Sequence, residues 1–314
     1  MPRPPSARGP RSLSNSQAAR RPGGHTGSVP NEKGSEAAEQ PGRSPEVPPT
    51  AGTLFAALHG GVAPRGRSAL DHDEHDAYQL FHDYSQAMGW LDDRSIVGGP
   101  VDRQHLAPGL WGMNDAGWVG PHASAEPQLL SWFQVEASAV PADRPLPVQP
   151  LLHCAERVTA HLGVLDLHAV HVLVPVQGLA SAPRTACARV PGMLSKGWFT
   201  GSTGAPTPVR FSLNSGQDPV LRAAAPDIVD RFGRLEQEVF LLDSHEVTED
   251  VDRPVPLEDS AWNGPPEHSV VLHGRLIEWS CDAIGWLMGV LGDVAALSGV
   301  RTPLLMTARR EERS

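Results

Sequence analysis

Carboxylates and imidazoles crowd into two short stretches of this chain, and both stretches hold the residue types that bind metal ions or move protons. The first is Asp71-His72-Asp73-Glu74-His75-Asp76, with His82 and Asp83 a little further on. Carboxylate oxygen and imidazole nitrogen together suit hard or borderline metals. On a helix Asp71 and His75 lie one turn apart, opposite a stripe of Ala77, Phe81 and Tyr84, and can share one ion. His82 sits two turns beyond His75 with Gln79, a poor ligand, between them. Asp71 and His75 are therefore the candidate metal pair, in an open site at most. The same acids at a helix start also complement the positive end of its dipole, a structural purpose that needs no metal.

The second stretch is Asp243-Ser244-His245-Glu246, where an expected strand from Glu238 to Leu242 gives way to a long loop. Strand ends are where α/β folds often build sites. His245 with Asp243 or Glu246 forms the candidate acid–base group. Ser244 and His245 are adjacent, and in an extended chain adjacent side chains point to opposite faces, so they do not pair as nucleophile and base. The G-x-S-x-G elbow of the α/β hydrolases is absent around Ser244.

The remaining reactive residues read as structural. Cys154, Cys187 and Cys281 have no C-x-x-C spacing and are expected to be reduced thiols. Cys281 could follow a Ser280 cap into the first turn of a helix, where the dipole lowers a thiol pKa. Asp282 alongside and Trp279 and Ile284 nearby favour a buried neutral thiol instead. Cys154 shares a helix with His161, but at 1.5 Å per residue the two lie about 10 Å apart, too far for direct proton transfer. His168 and His171 differ by an odd number on a strand, face opposite sides, and read as core or edge histidines. Lys196 and the glycines from Gly197 to Gly204 have the composition of an anion loop, yet Pro206 and Pro208 follow where a phosphate-binding loop needs a helix. The pattern names no cofactor.

The elements that must position these residues follow from periodicity. Ala77, Leu80, Phe81, Tyr84 and Met88 recur at threes and fours, which predicts a helix within Ala69 to Gly89. Trp90 to Pro127, with Trp90, Trp111 and Trp118 among many Gly and Pro residues, reads as a long packed connection. Strands are expected at Leu129–Val140, His168–Val176, Val209–Leu213 and Glu238–Leu242, with helices at Val148–Gly163 and Asp218–Phe232, the latter kinked or restarted at Pro226. Taken from Leu129 to Leu242, that order is β-α-β-β-α-β, which predicts a ferredoxin-like layer. A third unit, strand Ser269–Ile277, helix Ser280–Leu297 and strand Thr302–Thr307, should extend the same layer. The fold class is α/β, with a disordered tail over 1–51, a helix and irregular connection over 52–128, and the sandwich over 129–314.

Composition bounds the function. Residues 1–50 hold almost no large apolar side chain, so they bury too little surface to offset the entropy of ordering. Seven Arg or Lys against four Glu give that segment about +3, which leaves the body about −13 of the net −10. An acidic body argues against nucleic acid as a partner, except through the basic tail, where Arg3, Arg8, Arg11, Arg20 and Arg21 all precede Glu32. No apolar run follows the basic start, so a secretory signal is not expected. Asp282 and Asp293 interrupt the most apolar stretch, so no membrane span is expected. The expected setting is cytoplasmic. The preferred reading is a non-catalytic binding or assembly protein whose partner is another protein or a second copy of itself, met through an exposed strand edge. The alternative is a small-molecule enzyme with His245 in a cleft roofed by the Gly178–Pro208 and Ser244–Glu267 loops.

Overall fold

The computed structural model describes residues 50–63, 76–92, 109–119, 128–179, 205–249, 257 and 262–311. The chain divides into two units, 1–46 and 47–314, and every described residue lies in the second. Asp71, His75, Cys187 and the Gly197–Gly204 loop fall outside the described residues.

The described chain is a mixed α/β structure with eight strands and four helices. In chain order these are β1 (Thr50–Ala63), α1 (Ala77–Ala87), β2 (Trp111–Trp118), β3 (Gln128–Ser138), α2 (Val148–Thr159), β4 (Val164–Val174), β5 (Thr207–Asn214), α3 (Val220–Gly233), β6 (Phe240–Thr248), β7 (Ser269–Leu276), α4 (Cys281–Leu297) and β8 (Leu304–Arg310). One sheet contains all eight strands in the order β2-β3-β1-β4-β8-β5-β7-β6, and every neighbouring pair is antiparallel. The order contains a duplication. The first six elements run β-α-β-β-α-β with their strands in the spatial order second, third, first, fourth. The last six elements repeat that course, and the two fourth strands, β4 and β8, join the halves from Ala169↔Arg309 to Val174↔Leu304.

Each helix is a local consequence of sequence. Asp76 caps α1 by accepting from the Gln79 amide at 2.6 Å, and Ser280 caps α4 by accepting from the Ala283 amide at 3.2 Å. Ala77 and Phe81 bury the inner face of α1 against Trp111 and Phe133. The helix occupies Ala77–Ala87, inside the expected 69–89 window, while Met88, on the expected stripe, is 49% exposed because it follows the last turn. Pro226 lies on the exposed side of α3, and the helix continues through it to Gly233. Helix α4 is buried along 15 of its 17 residues and crosses close to α2. At Gly285 a β-carbon would come within 2.6 Å of the Gln149 α-carbon, so only glycine permits this approach. Among the described residues no helix is long and apolar enough to cross a membrane.

Two expectations change. The strands read as one layer from Leu129 to Leu242 are not neighbours, because β3, β4, β5 and β6 are spread across the whole sheet. The β-α-β-β-α-β frame read from the sequence starts two strands late, since neither β1 nor β2 carries a strand pattern. Strand β1 is central, paired with both β3 and β4, and its run of Ala, Leu and Gly is buried on both faces, so it shows no alternation to detect. Strand β2 contains Gly112 and Gly117, which disguise it as a loop. The third unit is likewise not appended at one side. Strands β7 and β8 flank β5, so this unit is woven into the second half.

Candidate ligand-binding face

Successive strand residues face opposite sides of a sheet, so the register assigns each residue to one of two surfaces. One surface is covered by the helices and is apolar along whole rows. Ala56, Val172, Met306, Leu213 and Val270 form one row across β1, β4, β8, β5 and β7, and Leu58, Val170, Ala308, Phe211 and Leu272 form the next. The opposite surface has a different character. Its rows over the same five strands are Phe55, Leu173, Leu305, Asn214 and Ser269, then Ala57, His171, Thr307, Ser212 and Val271, then His59, Ala169, Arg309, Arg210 and His273.

At the first-half end this second surface is apolar, where Phe55, Ala57 and Leu173 pack with Trp132, Leu129, Leu257 and Trp262. Toward the joint and the second half it becomes polar while remaining buried. His171 is 2% exposed, Thr307 3% and Ser212 5%. Burying hydroxyl and imidazole groups costs free energy unless they are hydrogen-bonded, and here they are arranged in pairs. His171 Nδ1 lies 3.0 Å from Thr307 Oγ1 across the β4–β8 joint. Asn214 Nδ2 donates to Ser269 Oγ, and Asn214 Oδ1 accepts from the Gly216 amide at 2.7 Å. His59 meets His171 edge to face with ring centroids 4.7 Å apart.

Burial is the main cause that pushes the His171 pKa down, with His59 and Arg309 adding positive charge nearby, and together they bring it to about 3. At neutral pH the ring is uncharged. A neutral imidazole offers one N–H donor and one lone pair, which suits it to recognise a polar ligand. Its conjugate acid is too strong for it to serve as an effective general base near pH 7. A neutral His171 beside Thr307 can orient and hold a polar group.

The acid–base group expected at the end of β6 takes another form. Asp243, His245 and Glu246 lie inside β6, which runs on to Thr248, and the loop expected to begin at Ser244 starts later. Strand β6 is the sheet edge, so Asp243 to Glu246 stay polar and exposed even though they pair, and that is why the segment reads as a loop. Asp243 forms an ion pair with Arg275 at 3.3 Å, and Glu246 approaches His273 Nε2 at 3.5 Å. His245 stands opposite Leu272 in the register, exposed, and both carboxylates are engaged by β7 rather than by it.

The cysteines on described residues are buried. Burial pushes the Cys154 thiol up to about 12, against a smaller opposing effect of Ser85, and burial with Glu156 and Asp282 pushes the Cys281 thiol well above its ordinary value. The capped first turn of α4 does not offset the loss of water around Cys281. Among the described residues no group of three or more His, Cys, Asp and Glu is placed to hold a metal ion.

Parity alone puts His171 on one face of its strand and marks no site there. The available signal is a histidine interrupting the apolar run Ala169–Val174. Its partner Thr307 comes from a strand more than a hundred residues away, Ser212 stands opposite Thr307 on a strand about forty residues from His171, and only the sheet order sets the three in one row. No family model, no curated protein and no solved structure matches this chain.

Proposed function

We propose that the chain is a fused pair of ferredoxin-like βαββαβ units that binds a small polar molecule on the sheet face turned away from the helices, centred on His171, Thr307 and Ser212 at the joint between the halves. The duplicated strand order supports the first part of this reading. The observation that carries the second is the contrast between the two sheet surfaces: the buried rows under the helices are wholly apolar, whereas the two buried rows on the other side include His171, Thr307, Ser212, Asn214 and Ser269. A face needed only for packing gains nothing from buried His, Thr, Ser and Asn, whereas a binding site uses a few convergent polar groups on an apolar wall. Phe55, Ala57 and Leu173 supply that wall. Binding without catalysis fits a histidine held neutral. Assembly through the β6 edge is less favoured, because its ion pairs and the register shift between Leu242 and Ser244 are devices that blunt strand addition.

Thermal unfolding of the full chain, recorded with a panel of amino acids, short carboxylic acids, sugars and nucleosides, tests the reading. A ligand at a hundred times its Kd stabilises by about 2.7 kcal/mol, a rise of roughly 5–10 °C for a domain of this size. Thr307→Val should weaken the responding compound about fivefold, the worth of one hydrogen bond. A panel with no response, or a response unchanged in Thr307→Val, overturns it.

A further inference from the structure

On the helix layer, three residues distant in sequence form a chain of hydrogen bonds that the sheet-face site does not use. Tyr84 of α1 places its hydroxyl 3.2 Å from His153 Nε2, and His153 of α2 places Nδ1 3.3 Å from both carboxylate oxygens of Asp282, in the first turn of α4. With Asp282 accepting from Nδ1–H, the Nε2 lone pair faces the tyrosine and accepts its O–H. Trp90 fixes both rings, lying edge-on to His153 at 6.2 Å between centroids and tilted against Tyr84 at 6.1 Å. A nucleophile, a base within reach of it and a third group orienting the base is the arrangement of an activated nucleophile.

Tyr84 also lines a cavity of about 430 Å³ with Leu80, Asp83, Arg157, Val158 and His161. That volume suits a small molecule. Leu80 and Val158 offer an apolar wall for a short acyl chain, and Arg157 offers a positive charge for a developing oxyanion.

We propose that Tyr84 is a nucleophilic tyrosine activated by His153, and that the cavity beside it accepts small acyl esters. Tyr84 Oη forms a bond to the ester carbonyl carbon as its proton passes to His153 Nε2. The ester C–O bond then breaks, and the proton moves from His153 to the departing oxygen. Water attacks the acyl-tyrosine in the second half, giving one proton to His153, which returns it to Tyr84 as the carboxylic acid leaves. Asp282 is a positioning residue that holds the His153 tautomer.

The chain contains only two tyrosines, and Tyr78, 38% exposed on the same helix, is an internal control. The full chain is treated with p-nitrophenyl acetate, p-nitrophenolate release is followed, and the acetyl group is located by peptide mass spectrometry. Acetylation is expected on Tyr84 ahead of the more exposed Tyr78, with release lost in Tyr84→Phe. His153→Gln, which keeps an acceptor for the hydroxyl but cannot take its proton, should slow Tyr84 acetylation at least about a hundredfold, with the thermal midpoint of each variant confirming that it is folded. Equal or faster labelling of Tyr78, or a His153→Gln rate equal to wild type, overturns the proposal.

Discussion

Replacing His171 by glutamine should change how stability depends on acid, because His171 is the buried group whose protonation the fold resists most clearly. In the unfolded chain the ring titrates near 6.5, and in the folded chain at about 3. Between those values the unfolded state binds a proton that the folded state refuses, so the contribution is full above pH 6.5 and is lost as pH falls toward 3. Each pH unit in that window removes about 1.4 kcal/mol, so lowering the pH from 7 to 4.5 should cost wild type roughly 2–3 kcal/mol from this residue alone. The glutamine of His171→Gln does not titrate, can still hydrogen-bond Thr307, and leaves every other ionisable group in place. Urea unfolding of both proteins at half-unit steps from pH 7 to 4.5 gives the comparison. The difference between the two stability curves should be flat above pH 6.5 and slope by about 1.4 kcal/mol per unit below about pH 6. Parallel curves across the whole range would refute the reasoning, since they would mean that His171 takes up its proton equally well in both states.

Two further outcomes test the packing of α4 and its neighbours. Gly285→Ala should destabilise by about 1–3 kcal/mol through overpacking, because its β-carbon meets the α2 backbone at 2.6 Å. Gly289→Ala in the same helix meets nothing nearer than 3.7 Å and should stabilise by up to about 1 kcal/mol, so chemical denaturation of the pair separates close approach from helix propensity. Iodoacetamide at neutral pH should leave Cys154 and Cys281 unmodified in the native protein and label both in denaturant, because burial holds each as a neutral thiol. Rapid native labelling of either, read by peptide mass, would contradict their placement.

Much of the local structure is legible in the sequence and the assembly is not. The helices α2, α3 and α4 and the strands β3, β4, β5, β7 and β8 announce themselves by period and punctuation, each within a few residues of the observed bounds. Strand β1 escapes because a strand buried on both faces carries no alternation, and without it the β-α-β-β-α-β frame falls two strands late. The joining of the halves through β4 and β8 depends on pairing between residues over a hundred positions apart, which no local pattern encodes. The candidate sites follow the same division. Dense polar stretches draw attention to Asp243, His245 and Glu246, and these lie on an edge strand whose side chains are open to water. His171, Thr307 and Ser212 are single polar residues in apolar strands, and Tyr84, His153 and Asp282 sit singly on three helices. Each becomes part of a constellation only once the tertiary fold has placed it.

The imidazole ring correlations of the ¹⁵N-labelled full chain, recorded at pH 7 with and without the small-molecule panel, test the binding face most directly. A compound that raises thermal stability should also move the His171 ring signals, with His59 responding beside it. Stabilising compounds that leave the His171 ring unmoved, or a panel that moves no signal at all, would contradict the placement of the site on this sheet face.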